Sequence, residues 1–116
     1  MNPTEIEQTK AAIHELYNSL LQQPEQSPAV LNITDVLLQV YQKLDQVKNP
    51  EVLMNKLVNY IYVVGFDAKL HFLGRDEKLL QALEVPAKKA GFNSKYRANF
   101  SDKSQFYSYN EEIPRR

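Results

Sequence analysis

Apolar residues recur along this chain at steps of three, four and seven, in four blocks divided by short breaks, the first two of which carry proline. Ile6, Ile13, Leu16, Tyr17, Leu20 and Leu21 form one stripe and predict a helix over residues 4–22. Its start reads T-x-x-E from Thr4 to Glu7, the capping-box pattern that satisfies free amides at a helix N-terminus. The break QPEQSP follows, and Ser27-Pro28 then supplies a cap and a proline at the first helical position. Val30, Ile33, Leu37, Val40, Tyr41, Leu44 and Val47 predict a second helix over residues 28–47, with Leu31 and Leu38 widening its stripe. Asn49-Pro50 repeats the punctuation, with Asn49 expected as cap. Leu53, Leu57, Tyr60, Ile61, Val64 and Ala68 predict helix three over residues 50–70. Val58, Tyr62 and Val63 lie off that stripe, so this helix should be buried on more than one side. Gly65 within it lowers helix propensity by about 1 kcal/mol against alanine, which a close helix–helix approach would explain. After the turn KLHFLG, Leu79, Leu80, Leu83, Ala87 and Ala90 predict a fourth helix over residues 75–90. Pro86 should kink it or end it near Val85, and Gly91 would be its C-terminal cap. No stretch alternates with period two. Four amphipathic helices with short connections predict an all-α fold, an antiparallel up-down-up-down four-helix bundle spanning residues 1–91.

Beyond Gly91 the periodicity stops. Residues 92–116 read FNSKYRANFSDKSQFYSYNEEIPRR and hold half of the chain's five Phe and seven Tyr. This non-helical tail is too aromatic for a plain disordered terminus and too polar for a core element. Three readings stay open: its rings pack on helices three and four, they also present a recognition surface, or they stack on nucleic acid. Aromatics and Arg are the residue types enriched at binding hot spots.

Length and charge bound these readings. A chain of 116 residues suits one domain that buries roughly two-thirds of its unfolded surface. It contains no cysteine, which excludes disulfide and thiolate chemistry. The start has no apolar signal region, and the longest mainly apolar run, residues 57–66, is far shorter than the ~20 residues of a membrane span. A cytoplasmic protein is expected. Net charge is zero, split between a slightly acidic body and a slightly basic tail. That split is too weak to predict nucleic-acid binding, but it could lay the tail across the body or orient it towards an anionic membrane surface.

Catalytic constellations do not emerge. His14 lacks the glutamate three residues earlier that a bundle-core di-iron site requires, since Ala11 stands there. His71 is read as ordering the turn before helix four. Three glycines cannot build a phosphate-binding loop or a dinucleotide fingerprint. The carboxylates are scattered over polar faces. No enzyme, metal, cofactor or small-molecule substrate is expected.

Residues 67–91, DAKLHFLGRDEKLLQALEVPAKKAG, carry a resemblance. KLHF leads into a helix in which Glu77, Leu80, Ala82 and Leu83 approximate an E-x-K-x-L-x-A-[IL] pattern. Together with the whole-chain layout, this resembles the immunity proteins of class IIa, pediocin-like bacteriocins. Leu73-Gly74 departs from it, since a better capping residue is expected there, and so does Pro86. The resemblance implies a cytosolic bundle, partly at the inner face of the membrane. It would protect a producer cell by recognising the mannose phosphotransferase permease once a bacteriocin has engaged it, with specificity in the C-terminal half. Carried onto this chain, Lys69, His71 and Phe72 would shape the turn. Tyr96, Arg97, Phe100, Phe106, Tyr107 and Tyr109 would make contact. The alternative is a non-catalytic helical-bundle adaptor that binds a partner helix. The neighbouring reading frame discriminates between them: an immunity protein should sit beside a short secreted peptide with a YGNGV-like start and cysteines, and sequencing that finds no such peptide favours the adaptor.

Overall fold

A computed structural model describes residues 1–89 and 102–114. Within them the chain forms four helices, α1 (Pro3–Leu21), α2 (Pro28–Lys43), α3 (Pro50–Asp67) and α4 (Arg75–Lys88), then a short 3-10 turn at Lys103–Phe106. Helix α1 packs against α2 and α4, and α3 packs against the same two, which closes a ring of four. End-to-end contacts fix the alternation of direction. At one end the Met1 amine pairs with Glu51, Lys89 with Glu5 at 2.7 Å and Lys10 with Asp45 at 3.3 Å. At the other, Arg75 meets Glu15 at 3.0 Å. The expected antiparallel bundle is the observed one. Its interior is filled by Ile13, Leu16, Ile33, Leu37, Val40, Met54, Leu57, Ile61 and Leu83, each fully buried.

Helix ends show where local chemistry overrode the pattern. Helix α1 begins one residue early, with Pro3 in its first turn and the Asn2 side chain accepting from the Glu5 amide at 2.8 Å. Thr4 is therefore inside the helix and not its cap, because Asn is at least as good a cap and Pro favours the position after it. The Ser27 side chain caps α2 as expected, accepting from Val30 at 3.2 Å. That helix stops at Lys43, four residues short of Val47, and the chain turns through Gln46 and Val47 amides bonded back to the Lys43 carbonyl. Asn49 occupies the cap position of α3 without a side-chain cap bond.

The end of α3 explains the KLHF segment. Lys69 adopts a left-handed backbone, φ 57°, and its amide bonds to Phe66 O at 3.0 Å while Leu70 N bonds to Gly65 O at 2.8 Å. This is the Schellman arrangement, which usually places glycine where Lys69 stands. It ends the helix at Asp67, before the expected residue 70. The tight neighbour of Gly65 is Phe72 and not a neighbouring helix: a Cβ at Gly65 would lie 3.1 Å from Phe72 Cε2, so the ring would have to shift by a few tenths of an ångström. Gly74 precedes α4 with φ 61°, so the backbone itself calls for glycine where a capping side chain was expected. Helix α4 runs through Pro86 to Lys88 and does not end at Val85. Pro86 and Ala87 are buried, and that packing offsets the missing hydrogen bond. Gly91 lies outside the described residues.

The two left-handed positions predict opposite effects. Lys69→Gly should stabilise the fold by up to about 1 kcal/mol, and Gly74→Ala, which meets nothing within 4 Å, should cost about 1 kcal/mol. Urea midpoints check both, and equal shifts in the same direction would contradict the assignment.

Candidate functional site

The described part of the tail lies along α2. Asp102 starts it by accepting from the Ser104 amide at 2.9 Å and the Ser104 hydroxyl at 2.6 Å, and these donors hold the Asp102 carboxyl below its usual range. The turn this creates drives Phe106 inward, where the ring is 3% exposed. It meets Tyr60 of α3 edge-on, with centroids 5.4 Å apart and planes at 82°, the geometry in which a positive ring edge faces a negative ring face. Burial raises the Tyr60 phenol to about 12, helped by Tyr107, Asp35 and Asp102 nearby.

Two ion pairs flank this seat. Lys103 donates to Asp35 Oδ2 at 2.9 Å, Asn32 Oδ1 at 3.0 Å and the Pro114 carbonyl at 2.8 Å. An ammonium has three N–H groups, and here each has an acceptor. Lys43 donates to the Phe106 carbonyl at 3.2 Å and pairs with Glu111. Glu111 also accepts from Gln39 Nε2 at 2.6 Å, and from the Ser108 amide and hydroxyl, both at 2.7 Å. Its carboxyl is held down to about 2, first by Lys43 and then by the Ser108 amide and Gln39.

Asp35, Gln39 and Lys43 stand four residues apart on one face of α2, and the outer two are about 12 Å apart along the axis. Lys103 and Glu111 are likewise eight residues apart but of opposite sign to their partners. Reversing the strap would set Lys103 against Lys43 and Glu111 against Asp35. Direction and register are therefore both fixed by charge. The weak charge split read from the sequence hides this, because one tail cation and one tail anion each find the opposite sign on the same helix. Asp35, Lys43 and Glu111 were not singled out by sequence, and nothing in local spacing could have linked residues about 70 positions apart.

The expected site residues fall into distinct places. Phe106 belongs to the core and not to the outer surface. Tyr107 is half-buried against the core, and Tyr109 is fully exposed. Tyr96, Arg97 and Phe100 lie outside the described residues. Lys69 and His71 are exposed on the α3–α4 turn, while Phe72 is half-buried on Gly65. A surface groove of about 660 Å³ lies beside the α3–α4 turn, lined by Lys69 and Leu70 together with Ser27, Pro28 and Asn32, the last of which also accepts from Lys103. One of the open readings packed the tail rings on helices three and four; in its described part the tail lies on α2 and reaches α3 at Tyr60. Among the described residues no group of carboxylates and histidines could hold a metal ion, and no helix is long and apolar enough to cross a membrane.

The chain belongs to the bacteriocin immunity protein family, whose sequence model matches residues 7–85. It is 46% identical over 103 residues to the "Probable mesentericin-Y105 immunity protein" of Leuconostoc mesenteroides, covering 89% of this chain and 90% of that one. It is 49% identical over 77 residues to the "Probable leucocin-A immunity protein" of Leuconostoc gelidum, covering 66% of this chain and 68% of that one. No solved structure matches. The family resemblance carried by residues 67–91 is thereby borne out.

Tail docking should have two pH limits. Glu111 has a lowered pKa, so its contribution is complete above about pH 4.5 and is lost as pH falls towards 2. Tyr60 has a raised pKa, so its contribution is complete below about pH 10 and is lost as pH rises towards 12. Near-UV circular dichroism, which reports only Tyr and Phe in this Trp-free chain, should stay flat between those limits. Phe106→Ala should cost roughly 3 kcal/mol, or less if the tail detaches and leaves the bundle folded. A signal that titrates near neutral pH would contradict the assignment of these contacts.

Proposed function

We propose that this chain protects its cell from a pediocin-like bacteriocin, acting in the cytoplasm and at the inner face of the membrane. It binds the mannose phosphotransferase permease after the bacteriocin has engaged it, and the complex blocks the lethal pore. The observation that carries the reading is the 46% identity, through 89% of the chain, to a protein named for immunity to mesentericin-Y105. Recognition falls to the C-terminal half. The exposed α3–α4 turn with Lys69 and His71, seated by Phe72 on Gly65, forms one part of the contact surface. The strapped tail forms the other, with Phe106 as its internal anchor and Tyr107 and Tyr109 towards the outside. Tyr96, Arg97 and Phe100, outside the described residues, are proposed as further contact residues. Such a function needs no catalytic group, only a stable body that holds a partner-facing segment in one place.

Expression of the chain in a bacteriocin-sensitive strain should raise tolerance to the cognate peptide and to few others. The permease should co-purify with it only after the peptide is added. Tolerance without co-purification would contradict the permease step, and unchanged sensitivity to every pediocin-like peptide would contradict the function itself.

A further inference from the structure

Ser108, Tyr109, Asn110 and Glu111 form a turn that is closed twice. The Glu111 amide bonds back to the Ser108 carbonyl at 3.0 Å, and the Glu111 carboxylate accepts from the Ser108 amide at 2.7 Å. The same carboxylate is held to α2 by Gln39 and Lys43. Turn closure and attachment to the bundle thus share one side chain. At the tip stands Tyr109, with a relative exposure of 106%, the largest among the exposed large hydrophobic residues of the described chain. Its ring adds no buried surface to the fold. A single exposed apolar residue is ordinary on a protein surface. This one differs in that two elements and a charge network fix the backbone that carries it.

We infer that Tyr109 is the tail's anchor residue for its partner and that Glu111 is its positioning residue. The inference rests on the immunity reading above and deepens it. The partner chemistry is an apolar cleft, on the cytosolic face of the bacteriocin-engaged permease, deep enough for one aromatic ring. A tyrosine carries large contact area on two rotatable bonds, so little side-chain entropy is lost when it docks. Fixing its backbone beforehand removes most of the remaining ordering cost. Phe106, Lys103 and Lys43 then serve the fold, and the ring they hold outward serves recognition. Sequence inspection gives Phe106, Tyr107 and Tyr109 equal standing; burial and the Glu111 contacts separate them.

The test uses the full chain expressed in a bacteriocin-sensitive strain. Tyr109→Ala should lower the tolerated bacteriocin concentration by about 30-fold, the size of effect expected of a binding hot spot. Tyr109→Phe should keep most of the protection. Hydrogen exchange in purified Tyr109→Ala should match the parent at residues 103–111, which shows the strap in place. Glu111→Ala should lose protection and also speed exchange at residues 108–111. The combination Tyr109→Ala with Glu111→Ala should lose far less than the product of the two single losses, because Glu111 acts largely through Tyr109. Full protection by Tyr109→Ala would overturn the anchor assignment while leaving the immunity function standing. Fully multiplicative losses in the double variant would overturn the positioning role. A parent chain that protects against no pediocin-like peptide would sink both readings together.

Discussion

The edge-to-face seat of Phe106 on Tyr60 is the contact on which the C-terminal architecture depends. Beside it the half-buried Tyr107 also packs against the core, while the polar contacts at the α2 surface are individually weak in water. Burying one aromatic ring supplies the non-directional attraction, roughly 2 kcal/mol or more. The two ion pairs then select one pose among the many that would bury that ring. Both pairs involve side chains that are largely withdrawn from solvent, with Lys103 and Asp35 the more so at 13% and 16% exposed. Their mutual satisfaction matters more than their count, since removing one partner would take the counter-charge from a group partly withdrawn from water.

Much of the fold was legible from the pattern of apolar positions because helix burial and helical periodicity are the same fact seen twice. The stripes on Ile13 and Leu16, on Ile33 and Leu37, and on Leu57 and Ile61 all face the interior. The misreadings cluster at helix ends, where one or two residues decide. Thr4 lost to Asn2, a competition that pattern alone does not rank. Lys69 took a conformation that its side chain disfavours because Leu70 and Phe72 gain burial from it, and no periodicity reports a left-handed lysine. Gly65 interrupts the helical pattern, yet what comes against it is a ring seven residues later in the chain and not a neighbouring helix.

The candidate site was legible in outline only. Aromatic density flagged the tail, and family likeness assigned it a role, yet neither could divide the rings between structure and recognition. That division is a tertiary property. Phe106 is internal because Asp102 and Ser104 turn the chain there, and Tyr109 is external because Glu111 closes a second turn against α2. The residues that make the division, Asp35, Lys43 and Glu111, look like ordinary solvated charges in the sequence. Their meaning comes from partners roughly 70 residues away.

Strap direction is the claim on which the assignment of every tail residue rests, and a charge-reversal cycle at Asp35 and Lys103 tests it most directly. Unfolding free energies would be measured for the parent, Asp35→Lys, Lys103→Asp and the double reversal. The account predicts that each single change destabilises and that the double change recovers at least about 1 kcal/mol of the summed loss, as contacting charges do. Strictly additive losses would contradict a tail held along α2 in this direction.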